Sequence, residues 1–397
     1  MRILAGIAGV ALLLVVLWDV FEVFLLPRRV TRRFRFARFY YSSTWQPWAW
    51  LGDRIGDRHR KEAWFGVFGP LSILGLAIGW AVALVVAFAL LFWGFAAVAG
   101  RPEARFANDL YLSGTTFFTL DLGVAPPASA LGRWFTVLEA GTGFGFLAVV
   151  ISYLPVLYAG FSRREASITL LDARAGSPPT AAELLRRQSP DAPQLTLLLA
   201  EWERWAAGLL ESHISYPVLA YFRSQHDNQS WLAALATILD ASALVLAGAC
   251  CAQEAKMAES ALAAPGFALP GADPSSVPPP LPVPRDMSLA DTLRQAHLTY
   301  AMGRHAAIDL TQVFGVPPLV PPQDRLPPGE LARLQSALRA QGLPWRQPEQ
   351  AAVRLEALRQ SYEPYLIALA AMLRIALPPW LPSHGARDNW QTSGWEI

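Results

Sequence analysis

The chain has 397 residues, of which 53% are hydrophobic and 16% charged, with fifteen Trp and twenty Phe. Soluble domains carry about 25% charged residues, so this composition excludes an ordinary soluble domain and points to a membrane protein with a soluble part. The formal charge is only +2, which makes nucleic acid an unexpected partner. The only cysteines, Cys250 and Cys251, are neighbours that point about 100° apart on a helix and suit a reducing compartment, not a disulfide or a metal site.

Three segments reach the ~20 apolar residues that a spanning helix needs: Ile3 to Leu26, Val67 to Val98, and Trp134 to Tyr158. The first is too long for a signal peptide, lacks a small-x-small cleavage site and has arginines crowding its C-terminal side, so residues 1–26 are expected to be a retained helix. Residues 27–65 hold ten basic side chains between Arg28 and Lys61 against Asp53, Asp57 and Glu62, which predicts a cytoplasmic or interfacial segment. The N-terminus is then outside, the second helix returns to the outer face, and the third comes back in, ending at Arg163-Arg164. Trp45, Trp48, Trp50 and Trp64 suit either an interfacial belt or core packing. Asp19 and Glu22, one turn apart near the inner end of the first helix, are expected to form a structural pair with the Arg28 and Arg29 zone.

Between the second and third spans, Asn108 or Asp109 is predicted to cap a short helix through about Phe117. The chain then turns at Thr119 to Gly123, and Pro126-Pro127 lead outward. Non-helical backbone at membrane depth is tolerated only where it is buried in protein or lines a water-filled cavity, so a re-entrant loop here implies a pore or a binding cavity. The run Ser113 to Pro126, followed by Gly132-Arg133 and the small-residue-rich stretch Glu139 to Phe146, resembles the two-helix pore module of bacterial potassium channels across residues 66–160.

The resemblance implies a selectivity filter in which Thr119 matches the filter threonine, Leu120 the valine, Asp121 the first glycine, Leu122 the tyrosine and Gly123 the second glycine. This chain therefore departs from the family at Asp121 and Leu122. Glycine tolerates backbone geometry that is costly for most residues, although Asp adopts left-handed geometry more readily than others, so the filter backbone is expected to differ. Four copies of Asp121 would form a carboxylate ring that attracts cations and excludes anions, and packed that closely the four cannot all ionise independently. A second reading turns Asp121 away to pair with Arg133 or a backbone amide. Gly141, Gly143 and Gly145 match the position of the family's gating hinge and equally suit plain helix packing. Glu139, an ionisable group inside a span, is expected to be paired and to support the pore. One pore loop per chain requires several subunits, and the family's number implies a homotetramer. The resemblance also implies a bacterial inner membrane as the location.

The remaining residues read as all-helical: a cytoplasmic domain at 161–263, a proline-rich linker at 264–286 and a C-terminal helical region at 287–397. Thr180-x-x-Glu183 and Ser288-x-x-Asp291 are capping-type helix starts, and apolar periodicity recurs through Leu195 to Leu210, Trp231 to Ala252, Leu293 to Val313, Leu331 to Leu338 and Val353 to Leu377. Trp231 to Ala252 is long enough for a fourth span, but Asp240 near its centre favours a helix buried in protein. His213, His226, His297 and His305 lack tight ligand spacing and are expected to be ordinary helix histidines, with no metal. No dinucleotide-binding glycine motif follows residue 160, and no nucleophile and base pair stands out, so neither an enzyme nor a cofactor is expected. The expected function is a tetrameric channel for K+ or Na+ in the lipid bilayer, gated through its inner helix by the cytoplasmic domain and an unidentified ligand. The alternative is a non-conducting membrane receptor or scaffold that keeps the pore fold.

Overall fold

The computed structural model describes residues 2–24, 36–96, 105–120, 129–188, 193–248, 289–320, 323–340, 348–383, 385 and 387–391. Among them every regular element is helical: α1 (Arg2–Phe24), α2 (Phe36–Gly52), α3 (Arg58–Gly94), α4 (Phe106–Phe117), α5 (Ala130–Ala175), α6 (Ala181–Arg187), α7 (Pro193–Ser215), α8 (Trp231–Gly248), α9 (Leu289–Phe314), α10 (Pro328–Ala340), α11 (Pro348–Gln360) and α12 (Glu363–Leu373). Helices α1, α3, α5 and α8 are long and apolar enough to cross a membrane. The chain forms two packing units, Met1–Phe161 with Val218–Arg223, and Ser162–Pro217 with Ser224–Ile397.

The first unit is built on the pairing of α1 with α3. An added Cβ would stand 2.8 Å from the Ala87 carbonyl oxygen at Gly9, and 2.5 Å from the Gly6 backbone at Gly94. Small residues at these points let the two backbones approach as membrane helices do. Nearer the other end of the pair, Trp80 Nε1 donates to Asp19 Oδ2 at 2.9 Å, and Trp18 Nε1 donates to Glu22 at 2.6 Å. The acids near the end of α1 thus take indole partners; Arg28 and Arg29 lie outside the described residues.

Helix α3 starts at Arg58, earlier than the expected Val67, because Asp57 accepts from the Arg60 amide at 2.8 Å and caps the first turn. Its 37 residues span about 55 Å at 1.5 Å per residue, well beyond a ~30 Å hydrocarbon layer. Much of the expected basic segment is therefore helical, in α2 and the first turns of α3. Three of its four tryptophans pack. Trp45 is buried against Phe65, Phe68 and Tyr221, while Trp48 and Trp64 stack at 4.2 Å and each donates its indole N–H to the other's carbonyl. Trp50 stays exposed with the Arg54 guanidinium 3.4 Å from its ring centre. The 3₁₀ turn at Pro217–Tyr221 completes this cluster, and Phe222 fills the space left by Gly69, where an added Cβ would meet its ring at 2.7 Å.

Helix α5 runs unbroken for 46 residues, about 69 Å, past the expected end at Tyr158. It stops where Gly176 takes φ +86° and its N–H bonds the Asp172 carbonyl at 2.9 Å, a glycine-dependent helix end. Its residues up to Phe161 belong to the first unit and those from Ser162 to the second.

The second unit packs around α8, every residue of which is buried except Leu246. Helices α6, α7, α9, α11 and α12 surround it. Thr180 caps α6 as expected, its hydroxyl accepting from the Glu183 amide at 3.2 Å. Ser288, the other expected cap, lies outside the described residues, as do 264–286. Helices from both sides of that proline-rich stretch pack together in this unit, α9 lying against α7 and α8. The periodicity expected to continue from Val353 to Leu377 is broken in two: Pro364 has no N–H for the Gln360 carbonyl and its ring would clash with that carbonyl in a continuous helix, so α11 ends at Gln360 and α12 begins at Glu363.

Candidate functional site

The short helix α4 has 12 residues, about 18 Å, which is too little to cross a membrane. It begins at Phe106 with Arg105 as its N-cap, so the expected cap at Asn108 or Asp109 is corrected: Asp109 lies inside the first turn and is fully buried.

Helix α4 descends along α3. Its Phe106 ring lies 6.0 Å from that of Trp93, Ser113 Oγ reaches the Val85 carbonyl at 2.7 Å, and Phe117 is buried in the cluster formed by Trp80, Ala81 and Leu84. The same end of α4 meets α5 at Gly143. An added Cβ there would stand 2.1 Å from the Phe117 carbonyl oxygen, and the Phe117 and Phe146 rings are 6.0 Å apart. Gly143 lies about 20 Å along α5 from Ala130. Helix α4 therefore ends part-way down both long helices.

The end of α4 is a Schellman motif. The Leu120 N–H bonds the Thr115 carbonyl at 2.9 Å, the Thr119 N–H bonds the Thr116 carbonyl at 3.1 Å, and Thr119 takes φ +53°. Glycine usually occupies that left-handed position, and a β-branched residue there is strained. Phe118 and Leu120 are 58% and 55% exposed, so this turn leaves apolar side chains uncovered in the single chain. Of the sequence-predicted filter, Thr119 and Leu120 are thus located at the foot of α4, whereas Asp121, Leu122 and Gly123 lie outside the described residues.

Glu139 is fully buried and contacts Ser113 Oγ through Oε1, while its Oε2 has no hydrogen-bond partner. The three glycines expected to form the hinge, Gly141, Gly143 and Gly145, are not equivalent. Gly143 is demanded by the close approach of Phe117, whereas nothing lies within 4 Å of a Cβ at Gly141 or Gly145, and α5 is continuously helical through all three. Sequence reasoning found Glu139 but missed its partner, because Ser113 is one of several polar side chains on α4 and nothing in the sequence singles it out. The left-handed Thr119 had no sequence signal, because Thr is a poor choice for that geometry.

Among the described residues no group of three or more His, Cys, Asp or Glu side chains could hold a metal ion. His213 is buried against Arg164 and Trp231, and His305 bonds Asp309 at 2.9 Å. No protein-family model, no curated protein and no solved structure matches the chain.

Proposed function

We propose that the chain is one subunit of a homotetrameric cation channel of the potassium-channel type. Helices α1, α3 and α5 cross the bilayer, and α4 with residues 118–129 forms the re-entrant pore loop. The observation that carries this reading is the end of α4 part-way down α3 and α5. Backbone that leaves a helix at that depth needs protein or water around it, and one chain leaves Phe118 and Leu120 uncovered. Further copies around an axis supply the cover. The C-terminal end of α4 carries about −0.5 of an elementary charge from its aligned peptide dipoles, which favours a cation there. A ring of Asp121 carboxylates would add to that preference.

In this reading the basic residues from Arg28 to Lys61 face the cytoplasm of a bacterial inner membrane, the N-terminus is outside, and the helical region after residue 161 gates the pore through α5, with or without a cytoplasmic ligand. The permeant ion is K+ or Na+, and the Asp121 and Leu122 departures predict weaker discrimination between them than a glycine and tyrosine filter provides. Purified protein in liposomes should pass monovalent cations, and Asp121→Asn should cut that flux at least tenfold. Reversal potentials in opposed Na+ and K+ gradients measure the selectivity. Strict potassium selectivity sinks the weak-selectivity claim, and the absence of flux under every condition replaces the channel with a non-conducting receptor or scaffold.

A further inference from the structure

Ser113 on α4 stands between two oxygens. Its Oγ is 2.7 Å from the Val85 carbonyl oxygen on α3 and within hydrogen-bond distance of Glu139 Oε1 on α5. Each of these contacts needs a proton between its oxygens, since two oxygens at that separation otherwise repel. A serine has one hydroxyl proton and a backbone carbonyl has none to give, so the Ser113 proton belongs to the contact with Val85. The proton in the second contact then has to come from the carboxyl of Glu139. An independent observation agrees: Glu139 is fully buried and its Oε2 has no hydrogen-bond partner, an arrangement far costlier for a carboxylate than for a neutral acid.

We infer that Glu139 is a proton-binding site: it carries a proton in this structure and donates it to Ser113 Oγ, which donates its own to the Val85 carbonyl. The chain of donors ties α5 to α4 and α4 to α3. Once the proton leaves, Ser113 can serve only one of its two acceptors, and one of the two links is lost.

The surroundings contain little that could replace the proton. Residues 64–94 of α3 include no titratable side chain. Arg105 is the N-cap of α4, which carries Asp109 and Tyr111; Asp109 is buried one turn before Ser113. On α5 the nearest charged side chain is Arg133. The inference does not depend on ion conduction, so its failure and that of the pore reading are separable.

Infrared spectroscopy of the purified full chain at neutral pH tests it, because a protonated carboxyl has a C=O stretching band that a carboxylate lacks. The expected result is a carboxylic-acid band in the unaltered protein that is lost in Glu139→Gln and kept in Asp109→Asn. Ser113→Ala should leave the band in place but shift its frequency, since the acceptor of the Glu139 proton has gone; this variant carries the test if Glu139→Gln does not fold. No carboxylic-acid band, a band unchanged in Glu139→Gln, or a band unmoved in Ser113→Ala would overturn the assignment.

Discussion

His213 lies on α7 with both ring nitrogens engaged: Nδ1 donates to the Leu209 carbonyl at 2.8 Å, and Nε2 accepts from Arg164 Nη1 at 3.3 Å. Burial, and then the adjacent guanidinium, lower its pKa from 6.5 to about 3. It is neutral at physiological pH and serves as a fixed acceptor for Arg164, not as a pH sensor. The unfolded chain takes up a proton here as pH falls below about 6.5, while the folded chain refuses it until about 3, so stability is lost as pH drops through that window. At about 1.4 kcal/mol per pH unit the loss reaches a few kcal/mol. Thermal melts of His213→Gln should show a smaller loss between pH 6.5 and 4 than the unaltered protein, and equal slopes would assign the acid sensitivity elsewhere. Gly143 gives a second contrast. Gly143→Ala forces its methyl onto the Phe117 carbonyl oxygen and should cost about 1–3 kcal/mol, seen as a lowered melting temperature. Gly141→Ala and Gly145→Ala meet open space in the single chain and should cost far less.

Helix α8 carries an acid at its centre whose partners lie far away in sequence. By length and hydropathy it qualifies as a span, yet Asp240 at its centre is 1% exposed and bonded within the second unit. It accepts from Tyr362 Oη at 2.6 Å and from Arg325 Nη2 at 3.0 Å, while Arg325 Nη1 pairs with Glu363 at 2.7 Å and Arg359 with Glu363 at 3.0 Å. Burial, and then the Asp240 carboxylate, push the Tyr362 phenol well above its ordinary range, so it remains a donor. Asp240→Asn should cost about 3–5 kcal/mol by leaving part of this network uncompensated, and joining Asp240→Leu to Arg325→Met should recover part of the loss. Denaturant melts of the full chain measure both. The expectation that Asp240 keeps α8 out of lipid came from the sequence alone, but Arg325 and Tyr362 are 85 and 122 residues away and no periodicity pairs them. Helix α4 is the reverse case. Its short length was readable between two long apolar runs, whereas its descent along α3 and its contact with Gly143 required the packed helices.

Taken whole, the molecule exposes apolar side chains along α1, α3 and α5, among them Ile7, Val82, Trp134, Phe144 and Ile151. Only a narrow stripe of α5, including Glu139, Gly143 and Leu157, is buried within the chain. Lipid covers some of this surface. The proposed assembly covers the rest, and the mass of the detergent-solubilised particle should correspond to four chains of 43.5 kDa each. A particle of one-chain mass that still passes ions would remove the shared pore.

The apolar runs, the arginine-rich segment and the capping pairs are local properties, and composition with short-range periodicity was enough to determine that this is an all-helical protein with several helices able to cross a membrane. Local sequence could also mark Glu139 and Asp240 as groups in need of partners, because an ionisable side chain in an apolar run is costly anywhere. Which partners they have was decided only by tertiary structure. Ser113 and Val85 come from other helices, Arg325 from the segment before α10 and Tyr362 from the N-cap of α12, and the depth at which α4 ends depends on its packing against α3 and its approach to Gly143 of α5. That α4 stops at about Phe117 was readable in the sequence; its end part-way down α3 and α5 follows from packing, which no short stretch encodes on its own.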